Sequence, residues 1–168
     1  MSWRIFAATP NPGIDVVSLA MKISDFLAST AVTTDVAATD KQELLADLAR
    51  KAAAVVDLPA ENILAELLKR EELGSTGMGG GVAIPHARFH QVKKPFGMLT
   101  RLRKPIDFDA VDGNPVDTVF LLLLPDAPVG ERLGALASIA RKLRNPATMT
   151  ALRRARNGAE VYSTLAAD

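Results

Sequence analysis

The chain has 168 residues, of which 48% are hydrophobic and 23% are charged, and its net charge is +1. This length suits a single domain, and the lack of cysteine excludes disulfides, cysteine-ligated metals and thiol nucleophiles. Two histidines leave little material for a histidine-rich metal site, and the near-zero net charge argues against a nucleic-acid-binding protein.

The N-terminal segment 1–20 is a poor secretory signal, because two prolines, a glycine and an aspartate interrupt any apolar stretch. The longest apolar run, 119–124, is far shorter than the ~20 residues that span a bilayer. We therefore expect a cytoplasmic protein without membrane insertion. Met21 is a second plausible start, so we expect 1–20 to be a disordered extension and 21–166 to be the domain.

The first predicted elements are mainly helical. The segment 24–34 favours a short helix followed by a turn or strand. Asp40 is a suitable N-cap, and helical spacing of apolar residues predicts a helix that ends before Pro59. Residues 60–73 predict a second helix, with Gly74 in the position of a C-cap.

Strands are predicted in the middle of the chain. The glycine-rich segment 74–81 predicts a loop, and 82–86 predicts a short strand that ends at Pro85. Two more strands are expected over 96–102 and 117–124, and the second is continuously apolar, which is typical of a strand buried on both faces. Helices are then expected over the apolar positions 133–143, from the Asn145-Pro146 cap to about Arg156, and near 159–166.

This alternation predicts an α/β fold, a single domain with a mixed β-sheet flanked by helices on both faces. Charge is unevenly distributed over it. Residues 21–79 carry ten acidic and six basic side chains, whereas 131–156 carry seven basic and one acidic. Two interpretations stay open, namely solvated helix faces and a docking surface for an acidic partner.

His86 is the strongest candidate for a reactive residue. It follows Ile84-Pro85 and lies five residues after the glycine-rich segment, where little steric bulk surrounds it. A neutral imidazole is a competent nucleophile toward phosphorus near pH 7. The alternative is a structural or surface histidine, and that is our interpretation of His90, which lies in a polar stretch.

Three other side chains could stabilise a phosphoryl group beside His86. Arg70 could bind it in a bidentate manner, or instead pair with Glu66 four residues earlier. Ser75 and Thr76 could donate their hydroxyls, or simply form a turn. We interpret the following aspartates as turn and cap residues rather than metal ligands, because their spacing is not that of a calcium-binding loop: Asp107, Asp109, Asp112 and Asp117.

Arg70-Glu71, segment 73–77 and segment 81–86 together resemble the active-site signature of the IIA proteins of the phosphoenolpyruvate phosphotransferase system, in the mannitol/fructose-type and nitrogen-regulatory group. Segments 104–110 and 112–117 are similar to the nitrogen-regulatory branch. The resemblance extends over about residues 21–166.

The resemblance implies a mannitol-type IIA fold and no cofactor. It also implies that His86 accepts a phosphoryl group from an HPr-like phosphocarrier. A tele-phosphohistidine is the expected product, although the residues themselves do not decide which imidazole nitrogen reacts. The family's phosphate-stabilising arginine corresponds to Arg70. Members of the nitrogen branch serve as regulators, whose phosphorylation state alters binding to transporters, sensor kinases or metabolic enzymes.

One departure from the family pattern concerns a second histidine, found in many members within a Glu-His-Leu sequence. This chain has Glu131-Arg132-Leu133 there. An arginine cannot accept a proton at neutral pH but can bind phosphate oxygens, so Arg132 joins the phosphate-stabilising candidates. Two other functions stay open: a sugar-route IIA that passes phosphate to a IIB domain, and a docking module that acts independently of phosphorylation.

Overall fold

A continuously apolar strand, β6 (Val116–Pro125), lies at the centre of the fold. The computed structural model describes residues 21–168, so the expected N-terminal extension lies outside the described residues. From 119 to 124, odd-numbered side chains of β6 pack into one hydrophobic cluster and even-numbered ones into another, and none is more than 3% exposed. Because successive strand side chains point to opposite faces, β6 requires a covering layer on both sides.

The described residues form a six-stranded mixed sheet around β6. The other strands are β1 (Leu27–Val36), β2 (Gly77–Gly79), β3 (Val82–Ala83), β4 (His86–Phe89) and β5 (Phe96–Ile106). The strand order is β1-β5-β6-β3-β2, with β4 also paired to β6. Strand β6 runs antiparallel to β5 and parallel to both β3 and β4. Strand β1 is parallel to β5, and β2 is antiparallel to β3. The predicted mixed sheet is therefore confirmed.

Helices cover both faces of this sheet, as predicted. The helices are α1 (Lys41–Val56), α2 (Ala60–Glu72), α3 (Val129–Arg144), α4 (Pro146–Arg154) and α5 (Gly158–Ala166). Leucines of α1 and α2 pack with the odd-numbered side chains of β6. Apolar residues of α3, α4 and α5 pack with the even-numbered ones. No helix within residues 21–168 is both long enough and apolar enough to cross a membrane.

Local side-chain caps define where two of these helices begin. The Asp40 carboxylate accepts a hydrogen bond from the Glu43 N–H at 2.8 Å, at the start of α1. The Asn145 side chain accepts from the N–H groups of Ala147 and Thr148 at the start of α4. Both predicted caps are confirmed, because such side chains satisfy N–H groups that the first helical turn leaves free.

The order predicted for 24–34, a short helix followed by a turn or strand, is confirmed, but the helical part is only one turn long. Only Ile23–Asp25 forms a helical turn, of the 3-10 type, and strand β1 already begins at Leu27. Several residues of β1 are β-branched, which favours a strand, and the parallel pairing with β5 extends it to Val36. Strand β5 is also longer than the predicted 96–102. It extends to Ile106, which pairs with Val116 of β6.

The glycine-rich segment is not a simple loop, which corrects the prediction for 74–81. Gly77–Gly79 forms β2 and pairs with β3 in a hairpin. The three glycines at 79–81 have φ values of +93°, +67° and +80°, which side chains disfavour. Gly80 donates its N–H to Asp112 at 3.0 Å and accepts from Arg153 at 2.7 Å. The glycines therefore specify a fixed hairpin turn.

We predict that Gly97→Ala destabilises the sheet centre by about 1–3 kcal/mol through overpacking. A Cβ there would lie 2.6 Å from the Phe120 ring and 3.0 Å from the Phe26 carbonyl oxygen. Urea unfolding measures the loss. Phe120→Leu removes the nearer obstacle, so the double variant should lose less stability than the sum of the two single losses. Simple additivity would contradict this explanation.

Candidate functional site

His86 is the first residue of β4, at an interruption of the sheet edge. Strands β3 and β4 lie along the same side of β6, and His86 is in register with Leu122. Between them, Pro85 accepts a hydrogen bond from the Leu122 N–H at 3.0 Å but has no N–H to continue the ladder. The prediction that the strand ends at Pro85 therefore misses its restart at His86.

Two contacts orient the His86 imidazole. Its Nδ1 lies 2.8 Å from the Ile84 carbonyl oxygen. Because a carbonyl can only accept a hydrogen bond, the proton is on Nδ1. Nε2 then carries the lone pair, and it accepts from Nε of Arg70 at 3.4 Å. The half-buried ring is held with Nε2 as the atom available for nucleophilic attack.

Burial lowers the pKa of His86 below 6.5, and the nearby Arg70 cation acts in the same direction. The hydrogen bond to Ile84 and the negative charge of Glu71 oppose this shift, with the smaller effect. The imidazole is consequently neutral at pH 7, which leaves Nε2 unprotonated.

His86 lines an open groove of about 1050 Å³ between α2, β4 and α3. Arg70 enters it from α2 and Arg132 from α3, so the groove brings together three of the predicted site residues. Four cationic side chains and two carboxylates contribute to its lining, which favours an anionic ligand: Lys69, Arg70, Arg88 and Arg132 against Glu66 and Asp126.

Arg70 is held beside His86 and not beside Glu66. Its Nη1 donates to the Gly74 carbonyl oxygen at 2.8 Å, while its Nε faces the imidazole. The ion-pair partner of Glu66 is Lys69, at 4.0 Å. The alternative pairing considered from the sequence is therefore not formed.

Arg132 has a buried Nε that finds no hydrogen-bond partner among residues 21–168. A buried N–H without an acceptor costs free energy. An anion in the groove could supply the missing acceptor, because Arg132 lines the same space as His86.

Ser75 and Thr76 lie near the groove but are not part of its lining. The Ser75 hydroxyl donates to the Phe108 carbonyl oxygen at 2.9 Å and accepts from the Gly77 N–H at 3.1 Å. Thr76 donates both its hydroxyl and its N–H to the Glu71 carboxylate. Both hydroxyls are thus occupied in holding the segment that leads into the hairpin.

The sequence did not predict the ion pair between Lys41 and Glu71, which lies next to the groove. The Glu71 carboxylate is only 6% exposed and binds Lys41 Nζ at 2.8 Å, in addition to Thr76. The Lys41 Nζ also donates to the Phe108 carbonyl oxygen at 3.2 Å and lies 4.6 Å from the centre of the Phe108 ring. The pair ties the start of α1 to the end of α2, next to Arg70. Glu71 stands within the signature, but no local signal identifies Lys41 as its partner.

The remaining polar candidates have other surroundings. His90 is exposed at the edge of the groove. Asp107 and Asp112 accept hydrogen bonds from backbone N–H groups two residues later, as expected of turn residues. Asp117 instead forms a bidentate ion pair with Arg153, at 3.0 and 3.1 Å, and this pair secures the glycine hairpin.

The basic residues of 131–156 do not form one docking face. Arg132 lines the groove, Arg153 binds Asp117, and Arg156 binds Glu160 at 2.9 Å. These cations are therefore divided between the groove, ion pairs with neighbouring carboxylates and other parts of the surface, so neither interpretation describes all of them.

Comparison with known proteins identifies the family of this chain. Residues 25–168 match the family described as "Phosphoenolpyruvate-dependent sugar phosphotransferase system, EIIA 2". The chain belongs to this EIIA type 2 family. The resemblance that the signature around His86 indicated is thus confirmed.

Similar members include nitrogen regulatory proteins. One from Bradyrhizobium diazoefficiens is 42% identical over 146 residues, covering 87% of this chain and 95% of the relative. The crystal structure of nitrogen regulatory protein IIA-Ntr from Neisseria meningitidis has a TM-score of 0.81 and 34% identity, covering 85% of this chain and 98% of that one.

A more distant EIIA structure has the same fold. The mannitol IIA of Escherichia coli has a TM-score of 0.69 at 17% identity, covering 82% of this chain and 97% of that one. The predicted mannitol-type IIA fold is therefore confirmed.

We predict that the Nδ1–H tautomer of His86 dominates at neutral pH and that its pKa lies below 6.5, because burial disfavours the imidazolium. Nitrogen-15 NMR of the two imidazoles over a pH series measures both quantities, with assignment by the His90→Gln variant. An Nε2–H tautomer, or a midpoint above 6.5, would contradict this geometry.

We predict that Glu71→Gln lowers the free energy of unfolding by about 2 kcal/mol, because it leaves Lys41 with only the exposed carboxylate of Asp109, 3.6 Å away, as a charged partner. Chemical denaturation of Glu71→Gln, Lys41→Met and the double variant measures the coupling. The double variant should be more stable than the sum of the single losses predicts, since no charge is left behind. The absence of coupling would show that the pair contributes nothing.

Proposed function

We propose that this EIIA protein is a phosphoryl-accepting regulator of the nitrogen phosphotransferase system, acting in the cytoplasm. An HPr-like phosphocarrier phosphorylates His86 at Nε2, and the phosphorylation state changes which regulated protein the chain binds. The observation that carries this proposal is a neutral imidazole whose Nδ1 is bound to Ile84 and whose Nε2 faces a cationic groove. The similarity to nitrogen regulatory proteins supports the regulatory role.

In the transfer step, the Nε2 lone pair attacks phosphorus. A phosphorus–nitrogen bond forms while the bond from phosphorus to the carrier breaks, and that electron pair stays with the carrier. Nδ1 keeps its proton during the attack, so the ring gains positive charge. The Ile84 carbonyl, already 2.8 Å from Nδ1, stabilises that charge.

Two guanidinium groups neutralise the phosphoryl oxygens in this proposal. Arg70 is already at Nε2, and Arg132 supplies the buried N–H without a partner within the described chain. Phosphoryl transfer depends mainly on positioning and charge stabilisation, which suits such a pair. We assign Ser75 and Thr76 a positioning role, because their hydroxyls hold Phe108 and Glu71.

The edge of the groove favours a protein as the phosphoryl donor. Leu73, Val129 and Leu133 are 84%, 58% and 55% exposed, and all three line the groove. Exposed apolar residues around a polar centre are typical of a protein-binding surface. The carrier would cover this edge during transfer and exclude water from the phosphoryl group.

The test is labelling by phosphoenolpyruvate in the presence of enzyme I and the HPr-like carrier. The wild type and the matched His90→Ala variant should each give an acid-labile phosphoprotein, and His86→Ala should give none. Labelling of His86→Ala at the wild-type rate would overturn the proposal.

The regulatory part needs a separate measurement. Proteins captured by the phosphorylated and unphosphorylated forms should differ, and the phosphoprotein should not transfer phosphate to a fructose or mannitol IIB domain. Efficient transfer to IIB would instead indicate a sugar-route IIA. Identical capture by both forms would indicate a docking module independent of phosphorylation.

We predict that Arg132→Gln slows phosphorylation of His86 by roughly 100-fold, the usual effect of removing one charge-stabilising donor. Arg132→His should restore much of the rate near pH 6, where an ordinary imidazole is charged, but little at pH 8. The wild-type rate should vary less over this range, because arginine stays charged. These rates are measured by quenching the labelling reaction at set times at each pH. Equal rates for all three proteins would exclude a role for Arg132.

A further inference from the structure

A second cleft, of about 410 Å³, lies at the other end of α3 from Arg132. The 3-10 turn before β1, the start of α4 and the residues that follow α5 form its other walls. Its lining contains three basic side chains, Lys22, Arg141 and Lys142, and one acidic side chain, Asp168. The cleft therefore has an excess of positive charge.

Ser138 provides an independent sign of a ligand. This residue is 5% exposed and lines the cleft, yet its Oγ has no hydrogen-bond partner among residues 21–168. Buried hydroxyls are usually satisfied, often in helices by the carbonyl four residues earlier. A ligand oxygen in the cleft would supply the partner that the helix does not.

Two of the three cations of the cleft have no charged partner among the described residues, and the third is bound to a backbone carbonyl. Lys22 and Arg141 form no ion pair within residues 21–168, and Lys142 donates to the Ala167 carbonyl oxygen. Asn145 uses its side-chain oxygen to cap α4, which leaves its amide N–H groups as donors. The lining is thus rich in hydrogen-bond donors, which suits an anion with several acceptor oxygens.

We propose that this cleft binds a small phosphate-bearing anion, either free phosphate or a phosphorylated metabolite. Three cations and a buried hydroxyl fit the charge and oxygens of a phosphate group. The site is separate from the His86 groove, since Ser138 follows Arg132 by six positions along α3, a rise of about 9 Å. It goes beyond the phosphoryl-transfer function and does not depend on it.

The test is an NMR titration of the whole chain with inorganic phosphate at constant ionic strength. The amide signals of Ser138, Arg141 and Thr148 should shift and saturate together. Arg141→Gln and Ser138→Ala should each weaken this binding by about tenfold, the effect of one lost hydrogen bond to a charged group. Arg144→Gln, an exposed arginine of the same helix outside the cleft, should not weaken it.

Phosphate can also bind near His86, so the His86 imidazole signals are followed in the same titration. The Arg132→Gln variant should weaken their response and leave the cleft signals unchanged. Glycerol 3-phosphate is titrated in parallel: tighter binding than phosphate assigns the cleft to a phosphorylated metabolite, and equal or weaker binding assigns it to free phosphate.

The proposal is overturned if the cleft signals do not saturate. It is also overturned if Ser138→Ala and Arg141→Gln, each shown to be folded by its spectrum, bind phosphate like Arg144→Gln. Because none of these signals reports phosphoryl transfer, failure here leaves the proposed function of His86 unaffected, and the converse also holds.

Discussion

Burial of β6 on both faces is the constraint on which the rest of this fold depends. Its alternating side chains enter two separate clusters, so α1 and α2 must cover one face and α3 to α5 the other. Three other strands pair directly with it. The register of β4 against β6 then places His86 opposite Leu122, between the helices that carry Arg70 and Arg132. The position of the His86 imidazole is thus a consequence of how the core is packed.

The orientation and the tautomer of the His86 imidazole follow from one backbone group. Because Pro85 interrupts the sheet edge, the Ile84 carbonyl is available to the imidazole of the residue two positions later. This contact places the proton on Nδ1, and burial keeps the ring neutral by lowering its pKa. The Lys41–Glu71 pair holds the end of α2 behind it, so that Arg70 stays beside Nε2.

The sequence predicts those features whose causes are local. The apolar run of β6 and the caps at Asp40 and Asn145 depend on neighbouring residues alone, and the signature around His86 is continuous. Prediction failed where distant residues decide the structure. The hairpin at 79–81 is fixed by Arg153 from α4 and Asp112. The tautomer of His86 depends on a backbone carbonyl, which no residue type reveals.

The central claim is that Nε2 of His86 receives the phosphoryl group while Nδ1 remains bound to Ile84. It is tested most directly by phosphorus–nitrogen coupling in the NMR spectrum of the phosphorylated, nitrogen-15-labelled protein. We predict that phosphorus couples to Nε2 of His86 and that Nδ1 retains its hydrogen bond. Coupling to Nδ1, or to a nitrogen of His90, would contradict the geometry from which the proposed function is derived.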